Sequence, residues 1–413
     1  KSGLASVALA KGQVDQAVKI ADQAPKDGYA QTIKAEALLK TGKVDEAAAA
    51  IGAAGQGTSA KWQQSETANL QGRVEQQQGK TDAAIKTYEQ AVALDPYNVV
   101  ALSNEGAAHR QKGDLKQASE VLQKASAIRE DSVVTLMLKQ VQEELKQAND
   151  VKRGELIRSQ IADLAKRYQE IKQASAGKPK DDWTSRPMVV ALLPPTSQNV
   201  VFERAGLDVV LQRELEARLQ GDDRLQVVER QMLEQLLQEL NLGSSELTSA
   251  DTQRRLGQVL SARYLGFIDF GRMGVDTLMY VRMVDTETTA IAMQTSQAVD
   301  ENAPAKTVEA VSNVLLDKVV NGRELQGLIA DASDENTVLI NLGKRHGVKE
   351  GQEFTVFVDG DPVEAGGKVI AHRQKSVAKL LVTSVEDDYA VCKTASKREN
   401  TPLAKEMKVK AAK

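Results

Sequence analysis

Gly72-Arg73-Val74-Glu75-Gln76-Gln77-Gln78-Gly79-Lys80-Thr81-Asp82-Ala83-Ala84-Ile85-Lys86-Thr87-Tyr88-Glu89-Gln90-Ala91-Val92-Ala93-Leu94-Asp95-Pro96 is the stretch on which the fold turns. It predicts two antiparallel helices joined at Gly79. Small residues at Gly72, Ala84 and Ala91 let the two helices approach closely, Gly79 relieves the turn, and Pro96 stops the second helix where another must begin. The same punctuation recurs along the chain. A Gly followed five residues later by an Ala appears as Gly12/Ala17, Gly42/Ala47, Gly79/Ala84 and Gly113/Ala118. The last two pairs stand 34 residues apart, and the earlier spacings are 30 and 37. The fourth unit repeats the pattern as Gly106, Gly113, Ala118, Leu122 and Ala125, while the first two lack the closing proline. Residues 1–130 therefore read as about four stacked helical hairpins.

Outward from the repeats the texture changes three times. Residues 131–175 remain helical without the period: Leu138, Val141 and Leu145, then Ile157, Ile161, Leu164, Tyr168 and Ile171, recur every three or four residues. That stripe suits either a helix pair capping the array or a coiled-coil seam to another subunit. Residues 176–187, polar and broken by Gly177, Pro179 and Pro187, read as a linker. In 188–322 the run Met188–Leu193 is a buried strand and Phe202–Leu219 an amphipathic helix. Leu225–Val228 is a strand, and Glu229–Leu240 and Asp251–Leu260 are helices, the latter with capping candidates Thr248 and Ser249. Tyr264–Phe270, Leu278–Val284 and Ile291–Ala298 are strands before a closing helix at Thr307–Val320. Strands and helices in this order predict an α/β sandwich. Residues 323–413 hold short runs, Thr337–Ile340, Phe354–Val358, Val369–His372, Ala378–Val382 and Tyr389–Cys392, separated by Gly or acidic turns. Those predict a small β-barrel.

The composition bounds the function. With a net charge of −3 over 413 residues and 3% aromatics, neither a basic nucleic-acid surface nor a base-stacking platform is expected. Cys392, the single cysteine, rules out an intrachain disulfide and a multi-cysteine metal site. No run approaches the roughly 18 apolar residues of a spanning helix, so any membrane anchoring is expected only through a lipid upstream of Lys1.

Candidate chemistry is weighed motif by motif. His109, His346 and His372 are scattered and predict no shared metal or triad. Gly79-Lys80-Thr81 resembles the end of a phosphate loop, but Gly72 precedes Gly79 by seven residues where the loop needs five, and the repeat turn explains it. Ser376-Val377-Ala378-Lys379 has Ser-x-x-Lys spacing, yet leads into a strand rather than a helix and lacks partner motifs. Asp331, Asp334, Glu335 and Asn336 read as an acidic surface turn without calcium-loop spacing. No catalytic residue, cofactor site or metal site is expected, and Cys392 is expected to be a structural thiol.

Three resemblances sharpen this reading. Gly72, Gly79, Ala84, Tyr88, Ala91 and Pro96 match the tetratricopeptide pattern in order and spacing. Val227-Val228-Glu229-Arg230-Gln231-Met232-Leu233-Glu234-Gln235-Leu236-Leu237 resembles the strand–Glu-Arg–helix signature of the curli secretion channel (CsgG/HfaB) family. Leu256–Gly266 and Val281–Thr288 resemble further parts of that pattern, so the resemblance covers most of 187–322. That fold is shared by lipoprotein activators of penicillin-binding proteins. The channel members carry two long hairpins that build a transmembrane barrel; here only Gly271–Asp276 separates two strands, so residues 187–322 are expected to be the soluble part without the pore. Val338–Val356, with Gly343, Gly347 and Gly351 every four residues at expected tight turns, resembles the small barrel ending the flagellar assembly protein FlgT.

The resemblances imply a multidomain α + α/β + β protein: a tetratricopeptide-like solenoid, a CsgG-like sandwich and a FlgT-like barrel. They imply a non-enzymatic periplasmic, outer-membrane-associated scaffold or assembly protein. It would bind protein partners in the concave face of its repeats and associate with itself, as a ring or filament, through the CsgG-like domain. The alternative is a lipoprotein-type regulator that docks on a cell-wall (peptidoglycan) synthase. Nucleic acid is not expected among the partners.

Overall fold

The computed structural model describes residues 1–55, 60–173, 184–185, 188–197, 200–222, 224–274, 276–321, 324–334, 337–365, 368–398 and 402–412, with side chains apart from those of 151, 152, 321, 363–365 and 368–372. Four helical hairpins open the chain: α1 (Ser2–Ala10) with α2 (Val14–Asp22), α3 (Gly28–Lys40) with α4 (Val44–Ala54), α5 (Lys61–Gln77) with α6 (Thr81–Leu94), and α7 (Val99–Lys112) with α8 (Leu115–Ile128). Each hairpin turns at the glycine expected. Gly12, Gly42, Gly79 and Gly113 have φ of 73°, 75°, 75° and 87°, a left-handed backbone that side chains resist. The alanines five residues on, Ala17, Ala47, Ala84 and Ala118, are all 0% exposed, so they are the contacts that let the helices close. Gly72 is needed for space: a Cβ there would stand 2.5 Å from Tyr88 Cε1.

Two long helices follow, α9 (Ser132–Ala148) and α10 (Val151–Gln173), and then a six-stranded mixed sheet. Its strands are β1 (Val189–Leu192), β2 (Thr196–Ser197), β3 (Gln226–Val227), β4 (Tyr264–Met273), β5 (Asp276–Asp285) and β6 (Ile291–Ala298), in the order β3-β1-β4-β5-β6 with β2 beside β4. β1 runs parallel to β3 and β4, whereas β4, β5 and β6 form an antiparallel meander. Interleaved with the strands lie α11 (Leu207–Gln220), α12 (Arg230–Glu239), α13 (Ser244–Leu247), α14 (Ala250–Leu260) and α15 (Pro304–Leu315), the last running into one π-helical turn at Leu316–Asn321. Alternation along β1 divides the core. Met188, Val190 and Leu192 face a cluster with Leu211 and Leu215 of α11 and Val311 and Leu315 of α15. Ala191 and Leu193 face another with Leu233 and Leu237 of α12 and Leu256 of α14.

The stripe on α10 belongs to this second cluster. Ile157, Ile161 and Tyr168 are buried against α12 and α14, with Leu164 and Ile171 packed alongside. It is therefore neither a cap over the array nor a seam to another subunit: it supplies the outer helix that the sheet's second face lacks. The first cluster also takes in Leu122 of α8 and Val133, Met137 and Val141 of α9, so the last repeat and the sheet share one core.

The helix expected over Phe202–Leu219 begins only at Leu207. Gly206, with φ 76°, ends a non-helical segment that lies elsewhere. Ser249 caps α14 as expected, although without a side-chain hydrogen bond, and Thr248 instead ends α13.

A closed six-stranded barrel completes the chain: β7 (Gln326–Asp334), β8 (Thr337–Ile340), β9 (Glu353–Ala365), β10 (Lys368–Val385), β11 (Ala390–Lys397) and β12 (Lys408–Ala411), in the order β10-β11-β8-β7-β12-β9. The runs Val369–His372 and Ala378–Val382 are two parts of one strand, and β7 and β12 were not expected. Phe354, Val356, Ile340, Leu380, Cys392 and Val409 fill the interior. Gly347 and Gly351 take the left-handed turns predicted for them. Gly343 does not; its φ is −131°, and it is glycine because a Cβ would fall 2.3 Å from the Glu386 carbonyl oxygen. Of the expected linker 176–187, all but Thr184 and Ser185 lies outside the described residues. Ser185 donates its N–H to Gln326 O at 2.7 Å, fixing the chain to the barrel.

Candidate partner-binding groove

The first helices of successive hairpins, α3, α5 and α7, line the inner face of the array, and part of this face is filled by the chain itself. Residues 200–206, between β2 and α11, lie along it. Asn104 of α7 grips their main chain twice: its Oδ1 accepts from Ala205 N at 2.9 Å and its Nδ2 donates to Glu203 O at 3.2 Å. Asn69 of α5 holds that amide in place, its Oδ1 accepting from Asn104 Nδ2 at 2.9 Å. These two asparagines are buried, so the clamp acts in a low-dielectric setting where main-chain hydrogen bonds are strong.

Side chains on the segment add anchors. Val201 enters the apolar cluster of Leu38, Leu39, Leu70 and Val74. Phe202 meets Phe270 of β4 edge-to-face with centroids 5.3 Å apart. Arg204 is 6% exposed and is fully engaged: Nη1 donates to Ser103 Oγ at 2.7 Å and to Val99 O at 3.4 Å, and Nη2 pairs with Asp131 Oδ2 at 2.7 Å. Asp131 is already the cap of α9, accepting from Val133 N and Val134 N at 3.1 Å. Arg272 of β4 donates to Leu39 O at 3.2 Å, a further tie between array and sheet.

Beyond the docked segment the groove opens into a cavity of about 680 Å³ between the array and the α/β domain. Arg73, Gln76, Arg110, Arg213, Arg230 and Glu144 are among its lining side chains. Glu144 accepts from Arg110, Nη2 at 2.8 Å, and from Arg213; Arg230 Nε donates to Glu234 at 2.7 Å. Burial works against the charge on Glu144, but the hydrogen bond and charge of Arg110, with Arg213 behind, outweigh it and hold the carboxyl below its usual range. Arg73 is 4% exposed, and among the described residues its Nε, with Arg213 Nε and Arg230 Nη1, has no hydrogen-bond acceptor. At the other end of the interface, burial pushes Glu66 up to about 7, with Glu36 and Glu203 adding to the rise. Burial likewise raises Glu36 and Glu301. The interface thus combines buried guanidinium groups with carboxyls that resist ionisation.

The residues singled out from sequence are not brought together. His109 is on α7, and His346 is buried in the turn before β9, where its Nδ1 accepts from Gly343 N at 3.0 Å; the His372 side chain lies outside the described residues. Gly79-Lys80-Thr81 is the α5–α6 turn, and Ser376–Lys379 sits within β10, Lys379 pairing with Glu353 at 3.4 Å. Asp331 accepts from Ser333 Oγ at 2.8 Å and Asp334 from Thr337 Oγ1 at 3.2 Å; Glu335 and Asn336 lie outside the described residues. Cys392 is 0% exposed, and burial pushes its thiol up to about 12. Sequence reasoning missed Asn69, Asn104, Arg204 and Asp131. The one signal was spacing: Asn69 and Asn104 both fall three or two residues before the first-helix glycines Gly72 and Gly106.

Stacked helical hairpins whose inner face grips the main chain of a non-helical segment define a protein-interaction array. Family models make this specific. Tetratricopeptide repeat models match residues 3–61 and 63–131, the model for the curli production assembly/transport component CsgG matches 211–267, and the model for the C-terminal domain of flagellar assembly protein T matches 335–403. No curated protein matches the chain significantly. Among solved structures, MamA is similar at 16% identity over 34% of this chain and 84% of its own, with a TM-score of 0.30. The C-terminal domain of LpoB from Salmonella enterica is 15% identical over 33% of this chain and 95% of its own, TM-score 0.23. Lipoprotein GNA1162 from Neisseria meningitidis is 13% identical over 33% and 99%, TM-score 0.23. Among the described residues no helix is long and apolar enough to cross a membrane.

Proposed function

We propose that this chain is a non-enzymatic scaffold of the bacterial envelope, working in the periplasm beside the outer membrane, that captures a protein segment between its repeats and its α/β domain. The observation that carries the reading is the main-chain clamp of Asn104 on residues 200–206 beside a 680 Å³ cavity lined by Arg73, Arg110, Arg213 and Arg230. The docked segment fixes the array against the sheet, and the cavity beside it offers carboxylate-seeking groups to a partner's extended segment. Residues 188–322 and 323–413 are its working units after the array, and association of copies through 188–322 would build a ring or filament.

A photo-crosslinking residue at Gln111, on the cavity rim, tests the groove against a control at Lys116 on α8. A partner joined from Gln111 and not from Lys116 supports the reading; equal capture from both, or from neither, overturns it. The second reading, a regulator docking on a cell-wall synthase, uses the same groove. Light scattering separates the two: assemblies larger than a dimer favour the scaffold, and a monomer favours the regulator.

A further inference from the structure

The array has another feature that the groove does not use. In the tetratricopeptide pattern a Leu stands just before the first-helix Gly and a Tyr three residues after it. The fourth repeat has Glu105 and His109 there, around Gly106. The third repeat, 34 residues earlier, has Gln71 and Glu75 at the same positions, and that pair is closed. Gln71 Nε2 donates to Glu75 Oε1 at 2.8 Å, and Thr87 Oγ1 donates to Glu75 Oε2 at 2.8 Å. In the fourth repeat the residue corresponding to Thr87 is Val121, which has nothing to donate. Glu105 is 8% exposed, yet among the described residues no hydrogen bond or ion pair reaches its carboxylate. Nor is His109 satisfied. Its Nδ1 is buried without a hydrogen bond, 3.9 Å from Asp114 Oδ2. Glu89, exposed on α6, faces both. One ligand atom from each of Glu89, Glu105 and His109 lies within 4.8 Å of the other two.

We propose that Glu89, Glu105 and His109 bind one divalent transition-metal ion of the Zn²⁺ type, joining the third repeat to the fourth. Glu105 has Glu89 and Lys124 as charged neighbours; one lysine does not offset two carboxylates, one of them buried, and a dication supplies the missing charge. One imidazole with two carboxylates is a borderline donor set that suits zinc better than calcium or magnesium, which prefer more numerous oxygen ligands. Donors lie about 2.0–2.2 Å from such an ion, so the three must draw together, and Glu89, exposed and unhindered, is the arm that closes. Water completes the coordination on that open side. With Nε2 as the ligand atom, Nδ1–H would face Asp114, 3.9 Å away, and a small shift on metal binding would close that second contact. The metal would tie α6 to α7 and so set the angle between the two repeats that flank the groove. Counting histidines in the sequence hides this site, because only one of the three takes part.

The test uses the full chain, stripped of metal by a chelator and titrated with ZnCl₂ against a chromophoric competitor. One equivalent bound at micromolar affinity or tighter is expected, with a raised thermal midpoint, and CoCl₂ should give visible d–d absorption. Glu105→Gln and His109→Gln should each weaken binding at least about tenfold, the loss that even outer-shell changes produce. Glu105→Gln preserves shape and removes the buried charge, so it should fold at least as well as the parent without metal, and it decides the matter should His109→Gln fail to fold. A parent that takes up no Zn²⁺ at micromolar concentrations, or a Glu105→Gln variant that binds as tightly as the parent, overturns the proposal.

Discussion

Replacing Arg204 by Met, which keeps the stem and removes the guanidinium, tests whether residues 200–206 are the strap between array and sheet. The side chain is 7% exposed and the facing Asp131 12%, with 2.7 Å between them. Removing one member of such a buried pair costs about 3–5 kcal/mol, largely because the other charge is stranded. Asp131 is not wholly stranded: it keeps the N–H groups of Val133 and Val134, and Arg129 Nη2 stands 3.6 Å away. The lower end, about 3 kcal/mol, is therefore expected. If that loss falls on the strap, its closed state weakens about a hundredfold, since each factor of ten is about 1.4 kcal/mol. The assay is hydrogen exchange at the Ala205 amide, bonded to Asn104 Oδ1, and the Glu203 amide, bonded to Glu301 Oε2 at 2.8 Å. Asp131→Asn retains the capping oxygen, so a cycle with Arg204→Met isolates the charge pair, with an expected coupling of about 2 kcal/mol. A coupling below about 0.5 kcal/mol, together with unchanged protection at Ala205, would refute the strap.

Ala84→Leu should overpack the α5–α6 contact and cost about 1–3 kcal/mol, since Ala84 is 0% exposed; an unchanged thermal midpoint would contradict the repeat register. Glu66, held at about 7 in the fold against an ordinary 4.5, binds more protons folded than unfolded between those values, so stability should fall as pH rises from about 4.5 to 7. Glu66→Gln should flatten that slope in urea titrations, and an unaltered slope counts against the buried carboxyl. The double variant Ile161→Asp, Leu164→Asp should lose at least about 3 kcal/mol of α/β-domain stability, because Ile161 is 7% exposed within that core. A folded, equally stable variant would show that α10 does not cover the sheet.

What was legible in sequence is what repeats or runs unbroken. Gly79 and Ala84 announce a turn and a helix contact through residue type alone, and the unbroken apolar run Met188–Leu193 announces a strand buried on both faces. What was illegible depends on long-range company. Phe202–Gly206 has the composition of a helix start, and only the array groove, more than 90 residues earlier, holds it in a non-helical, bent path. The α10 stripe signals that something apolar must cover it; periodicity cannot say whether that is the array, another subunit or the sheet. Val369–His372 and Ala378–Val382 looked like separate strands because the polar run between them breaks the apolar pattern, whereas the ladder to β9 continues through it. The candidate groove was illegible for a further reason. Asn69, Asn104 and Arg204 are polar residues that look like surface until the partner that buries them is in view.

The proposed oligomer must now rest on a different surface. The α10 stripe is used within the chain, and part of the groove is filled by residues 200–206. The edge of the sheet remains. β6 pairs with β5 on one side and ends the strand order on the other. Of its residues only Met293 is buried, and Ile291 is 54% exposed. Edge strands are commonly protected by charge, proline or a bulge that turns the edge away. β6 reads Ile-Ala-Met-Gln-Thr-Ser-Gln-Ala, without charge or proline, and its one irregularity lies at the Met283/Val284 end of the β5 pairing. An unguarded edge of eight residues is a template for strand addition from another copy. Gln294→Lys with Ser296→Lys places like charges along it on the exposed face, opposite the side from which Met293 enters the core. Light scattering at micromolar concentration should give a parent larger than a dimer and a variant shifted towards monomer, with equal melting temperatures in the two. A monomeric parent would end the oligomer reading, and a variant as large as the parent would move association away from β6.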